Sequence, residues 1–298
     1  MKKKLYTLSH DMDLLKTIDN NGGRFTSKEH SYISEKEFGI NVFKNKQSLL
    51  LHSMPKSLEK IADLKFLIDL IKIKGYKNIL SLGAGDCVLE YLLQKALPEK
   101  MRVVATDFDT FYVEKAKEFF PNITTENFDF LKDDLAELQS KLSIKFDIVV
   151  FFGSAYVMND EEFINFFEGL KKEGVKTIVD FHAGYMTKKM FMRHSLSFFL
   201  DNPVIRQILG KPLIEYNGKF HGYSRNHSEL TRLYKKAGLT IEKELSGSDH
   251  DYIAVLSWNR RKINPINGIV ISTIDGVVKG REKKSYFLQL HLFFWVLL

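Results

Sequence analysis

Short apolar runs alternate along this chain with longer stretches whose apolar residues recur every three or four positions. From 57 to 73 the residues Leu58, Ile61, Ala62, Leu64, Leu67, Ile68 and Ile71 fall on one helical face, which predicts an amphipathic helix. Strands are expected near 78–82, 102–106, 123–128, 147–152 and 176–181. Helices are expected between them near 87–96, 111–119, 132–141 and 159–173. The run from Phe146 to Phe152 is apolar throughout, as in a strand covered on both faces. Strict alternation of the two element types predicts a parallel sheet flanked by helices on both faces. After a last helix at 227–237, two strand-like runs (240–245 and 251–258) are joined by a short polar turn, which permits only antiparallel pairing. The fold class is therefore α/β: a Rossmann-like, seven-stranded, mostly parallel sheet with an antiparallel last strand.

The first strand ends in Leu82-Gly83-Ala84-Gly85-Asp86-Cys87-Val88. Glycines 83 and 85 can adopt positive φ and carry no Cβ, so a ligand can approach the main chain where a helix N-terminus exposes free N–H groups. A dinucleotide fingerprint wants a third glycine at 88, where this chain has Val, and Asp86 would set a carboxylate against a diphosphate. A phosphate-free ligand with an amino-acid tail and a cationic centre tolerates an acidic turn; S-adenosylmethionine (SAM) is such a ligand. Asp107 closes the second strand 22 residues beyond Gly85, where an acid accepts hydrogen bonds from ribose hydroxyls, with Phe108 beside it. Asp109 reads better as the cap of the next helix. Asp129 has two readings, an acceptor for an adenine amino group with Phe130 packed on the ring, or a turn acid beside a core aromatic. Phe152 and Gly153 end the fourth strand at the same ligand edge.

This ordered series resembles the class I SAM-dependent methyltransferase family over about residues 60–258. The resemblance rests on the glycine turn at 83–85, the acid at 107, the Asp129 segment, the strand at 147–152 and the helix from Asn226 to its Gly238 stop. It implies SAM as cofactor, held by Gly83, Ala84, Gly85, Asp86, Asp107, Phe108, Asp129, Phe130, Phe152 and Gly153. Two departures stand out: Ser81 occupies a position that is usually acidic in the family, and Cys87 a position that is usually glycine.

The chain has 298 residues, 44% of them hydrophobic, enough for a substantial core and one large domain with extensions. Its net charge of +7 is spread along the chain, with short basic clusters at 2–4, 260–262 and 281–284 that read as solvated tails. The single cysteine, Cys87, excludes an intramolecular disulfide and a multi-cysteine zinc site and reads as structural. No stretch approaches the roughly 20 apolar residues of a membrane span, and the basic N-terminus lacks the apolar core of a signal peptide, so a cytoplasmic protein is expected.

The expected organisation is an N-terminal extension or lid at 1–56, a methyltransferase domain at 57–258 and a C-terminal extension at 259–298. Within the domain, the aromatic-rich segment 184–226 leaves the sheet at its ligand edge and reads as a cap over the acceptor pocket. The apolar run 286–298 is expected to dock on the N-terminal region or on a second subunit, giving a homodimer. Asp180 and His182 lie two apart at the end of the fifth strand and face one side. His182 is the first choice for a general base, with Asp180 beside it and Tyr223 in the cluster His221, Tyr223, Arg225 and His227. His227 or Ser228 is expected to cap the last helix.

Absences narrow the acceptor. Phe152-Gly153-Ser154-Ala155-Tyr156 stands where amino-directed nucleic-acid methyltransferases carry an Asp/Asn-Pro-Pro-aromatic signature, and no Pro-Cys nucleophile exists for cytosine C5 chemistry. The expected activity is transfer of a methyl group to an O or N atom of a small metabolite or sugar-like acceptor. The alternatives are a nucleic-acid methyltransferase, a noncatalytic SAM-binding protein and an NAD-dependent oxidoreductase.

Overall fold

A computed structural model describes residues 42–53, 58–185, 203–210, 222–223, 225–246 and 252–258. The expectations for 1–41, for most of the 184–226 segment and for the 259–298 tail lie outside the described residues.

Two helices, α1 (Lys46–Ser53) and α2 (Leu58–Lys74), precede the sheet. Then β1 (Asn78–Leu82), α3 (Val88–Ala96), β2 (Arg102–Asp107), α4 (Thr110–Phe119) and β3 (Thr124–Asn127) alternate, as the pattern of apolar positions requires. They are followed by α5 (Leu135–Leu142), β4 (Ile148–Phe152), α6 (Asp160–Lys172), β5 (Thr177–His182), α7 (Pro203–Ile208), α8 (His227–Lys236), β6 (Thr240–Ser246) and β7 (Tyr252–Ser257). The seven strands form one sheet in the order β3-β2-β1-β4-β5-β7-β6. All are parallel except β7, which runs against β5 and β6, because the short β6–β7 connection leaves no room for a crossover.

Each face of the sheet carries its own core. Ile79, Val103, Ile148 and Val179 pack with Leu64, Leu67 and Ile71 of α2 and with α3 and α4 on one side. Leu80, Val104, Val149 and Ile178 pack with Phe163 and Phe167 of α6 and Leu230, Leu233 and Tyr234 of α8 on the other. The strand order reverses between β1 and β4, so the carboxyl ends of β1, β2 and β4 open a crevice at a topological switch point. In open α/β sheets, ligands bind in such a crevice. Among the described residues, no helix is long and apolar enough to cross a membrane.

The caps follow local sequence. Asp109 caps α4, its side chain accepting from the Phe111 N–H, as expected. For α8 the expectation is corrected: Asn226, not His227 or Ser228, is the cap. Its side chain accepts from the Glu229 N–H while Glu229 reaches back to the Asn226 N–H. A Glu three residues past Asn completes this reciprocal pair, which neither His227 nor Ser228 can form one or two residues later.

Candidate active site

The turn after β1 is built on backbone that side chains avoid. Gly83 and Gly85 have φ of +67° and +55°, and Cys87, which precedes α3, is also left-handed at +58°. At Gly83 a Cβ would stand 2.5 Å from the Ser154 Cβ, so glycine is demanded there by space as well as by φ. The turn is tied on both sides. The Ala84 N–H donates to the Thr106 carbonyl (2.9 Å), the Gly85 N–H donates to Asp107 Oδ2 (2.8 Å), and the Ser154 hydroxyl donates to the Leu82 carbonyl.

Above this turn lies a cavity of about 330 Å³, lined by Gly83, Ala84, Gly85, Asp86 and Phe152 together with Val42, Phe43, His52, Ser53, Leu89 and Tyr112. Five residues singled out in the sequence thus share one cavity. The contributions of Phe43, His52 and Ser53, around α1, and of Tyr112 on α4 carried no periodic signal that would have placed them there. Burial pushes the Asp86 carboxyl above its ordinary value, opposed by a hydrogen bond from Ser53, the Val88 N–H and the charge of His52.

Asp107 is buried at the end of β2, its two oxygens accepting from the Gly85 N–H (2.8 Å) and the Asp109 N–H (2.9 Å). These bonds orient the Asp107 carboxylate. Phe108, half-buried beside it, gives its carbonyl to the Asn127 side chain (3.0 Å). Asp129 behaves as a turn acid. It accepts from the Leu131 N–H (3.1 Å) and pairs with Lys132 (2.8 Å). Phe130 lies in the core, edge-on to Phe151 at 6.0 Å. Gly153 has φ of +78°, and the rings of Phe152 and Phe181, at the ends of β4 and β5, stack on each other at 5.0 Å.

The sequence reading missed Glu90. It lies one residue after Leu89 on the buried face of α3, and its Oε1 accepts from the Ser81 hydroxyl at 2.6 Å. The position that the resemblance marks as acidic thus holds a carboxylate brought from the next helix. An acid among Val88, Tyr91, Leu92 and Leu93 breaks the apolar stripe, and that break was the available signal.

Asp180 and His182 do come together. His182 Nδ1 lies 3.1 Å from Asp180 Oδ2, which also accepts from the Tyr234 hydroxyl at 2.7 Å. Both side chains are buried, and neither lines the cavity over the glycine turn. His182 Nε2 has no hydrogen-bond partner among the described residues and faces Gly184. Tyr223 packs under the Arg225 guanidinium (5.2 Å), and its N–H donates to the Tyr156 carbonyl (2.7 Å). Arg225 donates to the Met158 carbonyl (2.6 Å) and to Asp160 (3.3 Å), so this cluster fastens the return of the 184–226 segment to the loop after β4. His227 instead turns outward to Glu244 (3.0 Å), and His221 lies outside the described residues.

Residues 79–174 match a family model described as a methyltransferase domain. No curated protein matches the chain at a significant level. Similar solved structures include human N-acetylserotonin methyltransferase in complex with SAM, at 13% identity over 82% of this chain and 65% of that one, with a TM-score of 0.45. This chain therefore spans less than two thirds of the human chain's length. Magnesium protoporphyrin IX methyltransferase from Synechocystis PCC 6803 is 13% identical over 66% of this chain and 81% of that one, with a TM-score of 0.46. An amino pentose methyltransferase from Micromonospora echinaspora is 10% identical over 66% and 91%, also at 0.46. At such identities and scores these likenesses carry no argument of their own. The family match spans the glycine turn, the acid after β2 and the strand β4, so residues 79–174 are similar to a methyltransferase domain, within a sheet of Rossmann-like strand order.

Proposed function

We propose that this protein uses SAM to methylate an O or N atom of a small-molecule acceptor. The observation that carries the reading is the turn itself: Gly83 and Gly85 bare the backbone beneath the cavity, and Asp107, oriented by the Gly85 N–H, is the carboxylate this reading assigns to the ribose. The surroundings fit an adenosyl ligand and oppose a diphosphate, because the carboxyl groups of Asp86 and Asp107 stand beside one turn. Val42, Phe43, Leu89, Tyr112 and Phe152 supply apolar walls that exclude water.

When bound, SAM supplies an electrophilic methyl on a sulfonium. The chain's task is then to align the acceptor and keep it dry, and such positioning supplies roughly 7–11 kcal/mol in favourable cases. In this reading the acceptor packs near Phe152, the end residue of β4 that lines the cavity, and residues 42–53 lie on the cofactor side. His182 takes the acceptor's proton at Nε2, which requires Nδ1–H to face Asp180, with Tyr223 in the adjoining wall.

Calorimetry with SAM and S-adenosylhomocysteine, followed by a metabolite screen for labelled-methyl incorporation, tests the activity. Binding without incorporation into any acceptor would leave a noncatalytic SAM-binding protein, and binding of NAD with exclusion of SAM would refute the reading. For the base, His182→Ala is expected to lower turnover at least tenfold with SAM affinity nearly intact, in the range a placed base contributes (~10²–10⁴-fold); unchanged turnover removes His182 from the reaction.

A further inference from the structure

The pair of Asp180 and His182 is completed by a residue from another element. Tyr234 of α8 donates its hydroxyl to Asp180 Oδ2 at 2.7 Å, and His182 Nδ1 lies 3.1 Å from that same oxygen, so one carboxylate oxygen holds both neighbours. The other, Oδ1, has no hydrogen-bond partner among the described residues. Asp180, His182 and Tyr234 are all fully buried. Burial, with the Asp180 carboxylate beside it, pushes the Tyr234 hydroxyl well above its ordinary value, so it keeps its proton and serves Asp180 as a donor. The charge of Arg225, whose guanidinium donates to Met158 and Asp160, acts on Asp180 as well. Tyr252 of β7 is paired with His182 across the sheet, but its hydroxyl turns to Glu244 at 3.0 Å, which also meets His227, and its ring stacks on Tyr185. A donor and a cation favour the ionised carboxylate, which can only accept, so Nδ1 of His182 carries the hydrogen. Nε2 is left as a bare acceptor facing Gly184.

We propose that Tyr234 is a positioning residue, whose hydroxyl keeps Asp180 ionised and thereby fixes His182 as the Nδ1–H tautomer with Nε2 ready to accept a proton. The proposal rests on the reading of His182 as the base. Without that hydroxyl the buried carboxylate keeps a single hydrogen bond, from His182. The pair then takes one proton from solvent at Nε2, and the hydrogen on Nδ1 passes to Asp180 Oδ2, which donates it back to Nδ1. The charge of the pair is cancelled, and the lone pair that would receive the acceptor's proton is gone. Neither SAM nor an acceptor takes part in setting the tautomer, so it is measurable in the protein alone.

The test is long-range proton–nitrogen spectroscopy of the histidine rings in the nitrogen-15-labelled full chain from pH 6 to 9, with His182→Gln identifying the His182 signals. The wild type is expected to show a protonated Nδ1 and a bare Nε2 at neutral pH. Tyr234→Phe keeps the ring and its packing on Phe163. In it the pair's affinity for a proton should rise roughly tenfold to a hundredfold, the worth of a hydrogen bond to a charged group, moving the pH at which Nε2 gains its hydrogen up by roughly one to two units. Tyr252→Phe, which removes a hydroxyl directed at Glu244, should titrate as the wild type does. An Nε2–H tautomer in the neutral wild type, an unchanged titration in Tyr234→Phe, or the shift appearing in Tyr252→Phe instead overturns the proposal while the SAM reading stands. If Tyr234→Phe does not fold, Tyr234→3-fluorotyrosine, a stronger donor of nearly the same shape, should move the titration to lower pH, and no movement overturns the proposal equally. Unchanged turnover in His182→Ala, with the spectra as expected, overturns the reading of His182 as the base and with it the role of Tyr234, and leaves SAM binding untouched.

Discussion

The burial of Glu90 has a consequence in the protein without ligand. Its carboxyl lies at about 8 in the folded chain against an ordinary 4.5, so between those values the unfolded state ionises and the folded state does not. The unfolded chain then binds fewer protons, and stability falls as pH rises; the contribution is intact below pH 4.5 and lost by pH 8. Glu90→Gln removes the titration while keeping shape and the contact to Ser81. At about 1.4 kcal/mol per pH unit, the variant should gain on the wild type by about 1 kcal/mol at pH 5.5, about 3 at pH 7 and about 5 at pH 9. Glu90 is 1% exposed, so no reduction for solvent screening applies. The side-chain amide leaves one atom unsatisfied where Oε2 lacked a partner, which shifts all three values equally and leaves the slope unchanged. Urea unfolding of both proteins at the three pH values, without ligand, measures the slope. Equal pH dependence in the two proteins would refute the claim that Glu90 is held protonated by its surroundings. A wild type that gains stability toward pH 9 relative to the variant would place a cation near Glu90.

Gly83→Ala should destabilise by about 1–3 kcal/mol, through its positive φ and the clash with Ser154, and should weaken SAM binding at least tenfold; Gly85→Ala, where a Cβ meets open space, should cost only the φ strain of about 1–2 kcal/mol. Thermal melts and calorimetry on the pair separate space from conformation, and equal losses would refute the distinction. Asn226→Ala removes the reciprocal cap of α8 and should cost about 1 kcal/mol in chemical unfolding, with no change in SAM affinity. Asp147 is held below its ordinary value of 3.8 by Lys176 and by the Lys77 and Asn78 N–H groups, against the opposing effect of burial. Its contribution is present above pH 3.8 and is lost as pH falls through the lower folded value. Because Lys176 is 66% exposed, Asp147→Asn should cost no more than about 1 kcal/mol at pH 7 and nothing once both forms are protonated, as acid-unfolding curves would show.

Much of this protein was legible in its chain because the signals are local. The apolar runs ending at Leu82, Asp107 and Phe152 are strands covered on both faces, and alternation with helices leaves a parallel sheet as the outcome. Gly83 and Gly85 announce a backbone that only glycine adopts readily, and Asp107 stands at the spacing a βαβ unit imposes. The antiparallel β7 followed from a connection too short to cross over. What the sequence could not decide was which side chains share a volume. Asp129 and Phe130 matched a ligand role or a turn-and-core role by position, and the contacts that only folding reveals are Asp129 with its own turn and Lys132 and Phe130 with Phe151. His182 and Asp180 pair as their spacing requires, but only packing set them inside the wall and away from the cavity over the glycine turn. Phe43, His52, Ser53 and Tyr112 reach that cavity from distant stretches of chain, and Glu90 reaches Ser81 across the gap between helix and strand. Periodicity fixes which face a residue takes along its own element. Which group it meets there depends on how α1, α3 and α4 settle on the sheet, and that is decided by the fit of one whole surface against another.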